Sequence, residues 1–122
     1  MDSSGGLTEF REGNVTIVVF GSELKQLDEL NIGDVSRKLV NVAESVSCPY
    51  LVLDMSSTEF FGSSFIEALF RAWKKLNGKP NARFAIAGLQ PYCREVLEVT
   101  HLDKLWNLFD TRAAAVAAFT QA

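Results

Sequence analysis

The chain has 122 residues, 48% hydrophobic and 22% charged, with a formal net charge of -3. That is an ordinary composition for one globular domain with room for a real core. The weak negative charge argues against nucleic-acid binding, which needs a positive field against phosphate.

Other classes fall away as easily. Lys74, Lys75 and Lys79 are the densest basic group and read as a solvated helix end. Cys48 and Cys93 stand far apart, no CxxC occurs and histidine appears once. Neither a disulfide scaffold nor a Cys/His zinc site is expected, and the thiols read as reduced residues in or near the core. No cofactor is expected. The amino terminus has no basic region followed by an apolar core, and no apolar run nears the roughly 20 residues of a spanning helix. The expected location is the cytoplasm, without membrane insertion.

In chain order, residues 1–6 are small and polar and read as a flexible tail, with one domain over 7–122. "LTEFREGNVTIVVFG" predicts two strands joined at Gly13-Asn14. Val15 to Phe20 is nearly all apolar and β-branched, as a strand covered on both faces should be. Gly21 to Leu30 reads as a loop. Ile32, Val35, Leu39, Val42 and Val46 then recur at steps of three and four, with Asn31 as N-cap and Asp34 in the first turn. Tyr50 to Met55 is the next strand. A second helix covers about 64 to 77, a strand Arg83 to Ala87, and a third helix opens at Pro91 and ends near Val99. "LWNLF", 105–109, is a short strand, and Thr111 caps a last, alanine-rich helix to about Phe119. Strands alternating with helices predict α/β architecture with a mostly parallel sheet, whose sites lie at the carboxyl ends of strands.

One such end is "LVLDMSSTEFFGSSFIEALF", residues 51–70. Ser64-Phe65-Ile66-Glu67 fits a capping box, with the Ser64 hydroxyl and the Glu67 carboxylate satisfying each other's backbone amides. Ser63 would then precede the cap, at the positive end of the helix, where an added phosphate meets free amides. At 100° per residue, Ile66, Leu69, Phe70, Trp73 and Leu76 form the core arc, with Glu67, Arg71, Lys74 and Lys75 opposite. Phe65, Ala68 and Ala72 lie on a flank between, either a partner patch headed by Phe65 or a face packed under a neighbouring helix.

At these residues the sequence resembles the STAS domain family, the fold of bacterial anti-sigma factor antagonists. The matching pieces are "VTIVVFG", "YLVLDMSSTEFFGSSFIEALF", "FAIAGLQPYCREVLEVTHLDKLW" and "TRAAAVAAF", over roughly residues 7 to 120. The resemblance implies a single STAS-like domain: a mostly parallel four- to five-stranded sheet, about four helices and an N-terminal edge hairpin. It also implies a phosphoprotein of transcription regulation. Such a protein binds a serine kinase that is also an anti-sigma factor, is released by phosphorylation at the serine matching Ser63, and is restored by a phosphatase. Ser64 is the second candidate. The expected partner surface is Ser57, Thr58, Gly62, Ser63, Ser64, Phe65, Ala68 and Ala72. Gly62 stands where the family usually has Asp, Phe65 where it usually has Gly, and His101 where Gly is common.

Three other classes compete. A stand-alone STAS-like subunit of an ABC transporter would dock on the ATPase through Phe65, Ala68 and Ala72. A phospho-aspartate receiver would use Asp54, but Phe20-Gly21-Ser22-Glu23 lacks the acidic pair for magnesium. An enzyme would need a phosphate loop, metal cluster or nucleophile-base pair, and none can be assembled, so no catalytic residue is assigned.

Overall fold

The computed structural model describes residues 2–4, 6–46 and 48–120. Among them a six-stranded sheet runs in the order β1-β2-β3-β5-β7-β8. These strands are β1 (Asp2–Ser4), β2 (Leu7–Glu12), β3 (Val15–Phe20), β5 (Tyr50–Asp54), β7 (Arg83–Ala87) and β8 (Asn107–Phe109). The last four are mutually parallel, and β1, β2 and β3 pair antiparallel at one edge. The predicted edge hairpin is present: Glu12 pairs with Val15 across a two-residue turn. Gly13 there has φ +60, a value that glycine adopts without a Cβ penalty.

The stretch read as a flexible tail carries an additional edge strand instead. Asp2–Ser4 pairs with Leu7, Thr8 and Glu9. Edge pairing uses backbone groups, so the small polar composition that suggested a tail does not oppose it. Met1 and Gly5 lie outside the described residues.

Four helices flank the sheet: α1 (Ile32–Ser45), α2 (Ser63–Asn77), α3 (Pro91–Val99) and α4 (Arg112–Thr120). Strand alternation divides the apolar residues between two faces. Val18, Phe20, Leu51, Leu53, Phe84 and Ile86 face α1, α2 and α3 in the larger core. Val15, Ile17, Val52, Ala85 and Ala87 face Ala115 and Phe119 of α4. Alanine on both sides of that second interface lets α4 lie close to the sheet. None of the described helices is long and apolar enough to cross a membrane.

The Gly21–Leu30 segment is more ordered than the loop expected. It holds a 3-10 turn, Ser22–Leu24, and a two-residue strand, β4 (Gln26–Leu27), paired in parallel with β6 (Phe60–Phe61). Asn31 does occupy the N-cap position of α1, but its side chain serves the preceding segment. Its Oδ1 accepts from the Asp28 amide at 3.0 Å and its Nδ2 donates to the Gln26 carbonyl at 2.9 Å. Thr111 Oγ1 accepts from the Ala114 amide at 3.1 Å, which is the cap expected for α4.

His101, just after α3, has φ +63 and ψ 17. Left-handed backbone costs a non-glycine residue roughly 1–2 kcal/mol. Glycine's greater freedom in the unfolded chain offsets about 0.4–1 of that. His101→Gly is therefore expected to stabilise the domain by about 0.5–1 kcal/mol, read as a small rise in melting temperature.

Candidate functional site at the mouth of the second helix

The site begins where β5 ends. Met55 extends the parallel ladder by donating its amide to the Ala87 carbonyl at 3.0 Å. Asp54, 9% exposed, accepts from the Ser56 amide at 3.1 Å and pairs with Arg112 at 3.5 Å. It is thus a strand-end residue that fixes the turn. Gly88 lies against this turn with φ +74, and a Cβ there would come within 3.0 Å of the Ser56 Cβ. Glycine is needed for both reasons.

Neighbouring elements hold the rest of the segment. Gln90 Nε2 donates to the Ser56 carbonyl at 2.9 Å. Thr58 is fully buried, its Oγ1 directed at the Leu24 carbonyl at 3.5 Å and its own carbonyl at 3.7 Å from Cys93 Sγ. The Glu59 and Phe60 amides both donate to the Lys25 carbonyl, at 2.7 and 3.1 Å. Burial pushes the Cys93 thiol up to about 11, so it stays neutral at physiological pH and serves packing rather than nucleophilic chemistry. Cys48 is a free thiol as well.

Helix α2 opens one residue earlier than expected. Gly62 is the N-cap, extended at φ -112 and ψ -167, and Ser63 is the first helical residue. The Ser64–Glu67 capping box is not formed, because Ser64 already lies inside the helix. Packing decides the phase. Phe61 is 1% and Phe65 0% exposed, and their rings meet at 5.1 Å. Phe65 also packs edge-on against Phe20 at 5.7 Å. Burying such a ring contributes about 1.5–3 kcal/mol, more than the ~1 kcal/mol of a serine cap.

Phase also settles the flank. Phe65, Ala68 and Ala72 are buried in the same core as Val35, Leu39 and Val42 of α1. The expectation that they form a partner surface is corrected: they pack under the neighbouring helix α1. Thr58 leaves the expected surface too, as a buried hydroxyl with a backbone acceptor. Ile66, Phe70 and Trp73, expected at the centre of the core arc, are only partly buried.

The remaining expected residues face outward. Ser63 and Ser64 are exposed, and Ser57 and Gly62 are half-buried. Among the described residues, neither serine hydroxyl has a partner, and neither do the Ser63 and Ser64 amides. A Cβ at Gly62 would meet nothing within 4 Å, so the position has room for the family's usual Asp. Sequence reasoning missed Gln90 and Cys93 as supports of this segment; only the helix start at Pro91 hinted that their backbone lay at the same end of the sheet. Among the described residues no cluster of three His, Cys, Asp or Glu side chains could hold a metal ion.

The STAS domain family model matches residues 9–115. The chain belongs to the STAS domain family. Solved STAS structures agree with the topology. An anti-sigma-factor antagonist (STAS) domain protein from Planctomyces limnophilus is 33% identical, with 92% of this chain and 96% of that one covered and a TM-score of 0.85. An anti-sigma factor antagonist from Mycobacterium paratuberculosis is 24% identical, with 97% of each chain covered and a TM-score of 0.76. The anti-sigma factor antagonist SpoIIAA in its unphosphorylated form is 14% identical, covers 95% of this chain and 97% of its own, and has a TM-score of 0.76. The last two show the fold alone. The expected STAS architecture is therefore present, with one more sheet strand than anticipated and the additional β4–β6 pair.

Proposed function

We propose that this STAS domain is a non-enzymatic, cytoplasmic anti-sigma factor antagonist. It binds an anti-sigma factor that is also a serine kinase, and phosphorylation of Ser63 releases it. A phosphatase restores the binding form. The observation that carries this reading is the exposed Ser63 hydroxyl on the first residue of α2, beside unpaired amides of Ser63 and Ser64 among the described residues.

The physics is local. A hydroxyl here is small, and a docked protein surface can cover it at little cost. A phosphate carries about 1.5 to 2 negative charges and three acceptor oxygens. In the free protein, water, the two amides and the helix dipole solvate it. Under a close-packed partner it loses the water, occupies volume the partner needs, and becomes a buried charge without a counter-ion. Release follows from that difference between free and bound states.

The support of the loop bears on the same reading. Asp54, Gln90, Thr58 and Lys25 anchor the segment from both ends. The serine is presented on a fixed platform, so modification changes the surface rather than the fold. The transporter-subunit alternative relied on Phe65, Ala68 and Ala72, which are core residues.

Peptide mass spectrometry on protein recovered from cells tests the modification. The expected result is phosphate on Ser63, absent from a Ser63→Ala chain. Phosphate confined to another residue would refute the assignment.

A further inference from the structure

With Phe65, Ala68 and Ala72 turned inward, the Ser63 surface has lost the apolar contact expected for it. An exposed apolar strip nevertheless begins three residues ahead of Ser63. Phe60, 42% exposed, stacks on Tyr92, 49% exposed, with ring centroids 5.6 Å apart and planes at 19°. Helix α3 continues the strip. Tyr92, Val96 and Val99 follow helical spacing along one face, while Cys93 and Leu97 fill the core. With Glu95 and Thr100 they line a groove of about 270 Å³. Val99 is 70% exposed at its far end.

Apolar area left in water is unfavourable and gains on being covered. A stacked aromatic pair beside an apolar groove is the composition found at interface centres. Two carboxylates beside it are unpartnered among the described residues; the exposed Lys25 also adjoins Phe60 through its backbone, and Arg94 on α3 is taken up by Glu98 and Asp110. Glu59 adjoins Phe60 and Glu95 lines the groove; both are exposed, and neither has an ion pair among the described residues. Lys74 and Lys75 lie in the last turn of α2, at the opposite end from Ser63.

We propose that Phe60 and Tyr92, continued by the groove at Val96 and Val99, form the apolar half of the surface that Ser63 controls. Its occupant is the anti-sigma factor partner, through an apolar element bearing lysine or arginine opposite Glu59 and Glu95. Those cations face the two glutamates and not Ser63, so a phosphate on Ser63 gains no counter-ion from them. This assignment rests on the partner-binding reading above and gives the partner's contact its chemistry.

The test uses the full chain and the serine-kinase anti-sigma factors encoded in the same genome, each purified and titrated by calorimetry. Phe60→Ala and Tyr92→Ala are each expected to weaken binding about tenfold, and together by less than the product. Glu59→Lys combined with Glu95→Lys is expected to weaken binding and flatten its salt dependence. Both rings are half-exposed, so melting curves should stay near the unmodified chain's; if Phe60→Ala misfolds, Tyr92→Ala reads the same contact from another element. Unchanged affinity in all these variants, with Ser63→Glu still abolishing binding, would overturn the strip and leave the switch standing. Failure of the unmodified chain to bind any of these kinases would overturn both.

Discussion

A Ser63→Glu chain is expected to fold normally and to lose its anti-sigma partner. The loss should exceed about 100-fold in affinity, which is near 3 kcal/mol. That magnitude is the low end of what an uncompensated buried charge costs. Folding should move the other way. Ser63 is the first residue of α2, where an anion contributes about 0.3–1 kcal/mol through the helix dipole. The substitution is thus expected to raise the melting temperature slightly while abolishing the complex. Ser63→Ala should keep the complex and lose its sensitivity to the kinase. Thermal melts and calorimetry on the three chains give both readouts. Loss of binding accompanied by loss of stability would point to a damaged fold rather than a switch.

Phe65→Ala is expected to cost about 3–5 kcal/mol of stability. The ring is fully buried and touches Phe20 and Phe61. For a domain of this size the melting temperature should fall by about 15 °C. Phe65→Gly, which restores the residue usual in the family, should cost roughly 1 kcal/mol more, from glycine's poor helix propensity. Were Phe65 a surface anchor for a partner, the stability change would lie within about 0.5 kcal/mol and the loss would appear in binding. Denaturant unfolding of the two variants separates these outcomes.

Much of the architecture was legible in the sequence. Val15–Phe20 and Tyr50–Asp54 are nearly all apolar, with Thr16 and Asp54 the exceptions, which marks strands buried on both faces. Gly13-Asn14 marked the hairpin, and Pro91 and Thr111 marked helix starts. The parallel order follows from strands alternating with helices. The β4–β6 pair was not legible, because Gln26–Leu27 and Phe60–Phe61 are too short to show a period. Nor was the edge strand at Asp2–Ser4, which depends on backbone pairing alone.

The site was legible in place and not in detail. That a serine-bearing helix mouth lay at the end of a central strand could be read from residues 51–70. Which serine capped the helix could not. A capping box worth about 1 kcal/mol competes with ring burial, and the sequence does not show that Phe61 and Phe65 share one pocket. The helical wheel failed for a related reason. The apolar arc of α2 spans Phe65, Ile66, Ala68, Leu69, Phe70, Ala72, Trp73 and Leu76, too wide to orient itself. Its contact with α1 selects the Phe65–Ala68–Ala72 side, and only tertiary packing supplies that contact.

The proposed function turns on one covalent change at one exposed hydroxyl, that of Ser63. The most direct measurement is the affinity of the partner kinase for two forms of the same chain, unmodified and stoichiometrically phosphorylated on Ser63. A stable complex with the first and none with the second is the predicted result; equal affinity for both would contradict the account.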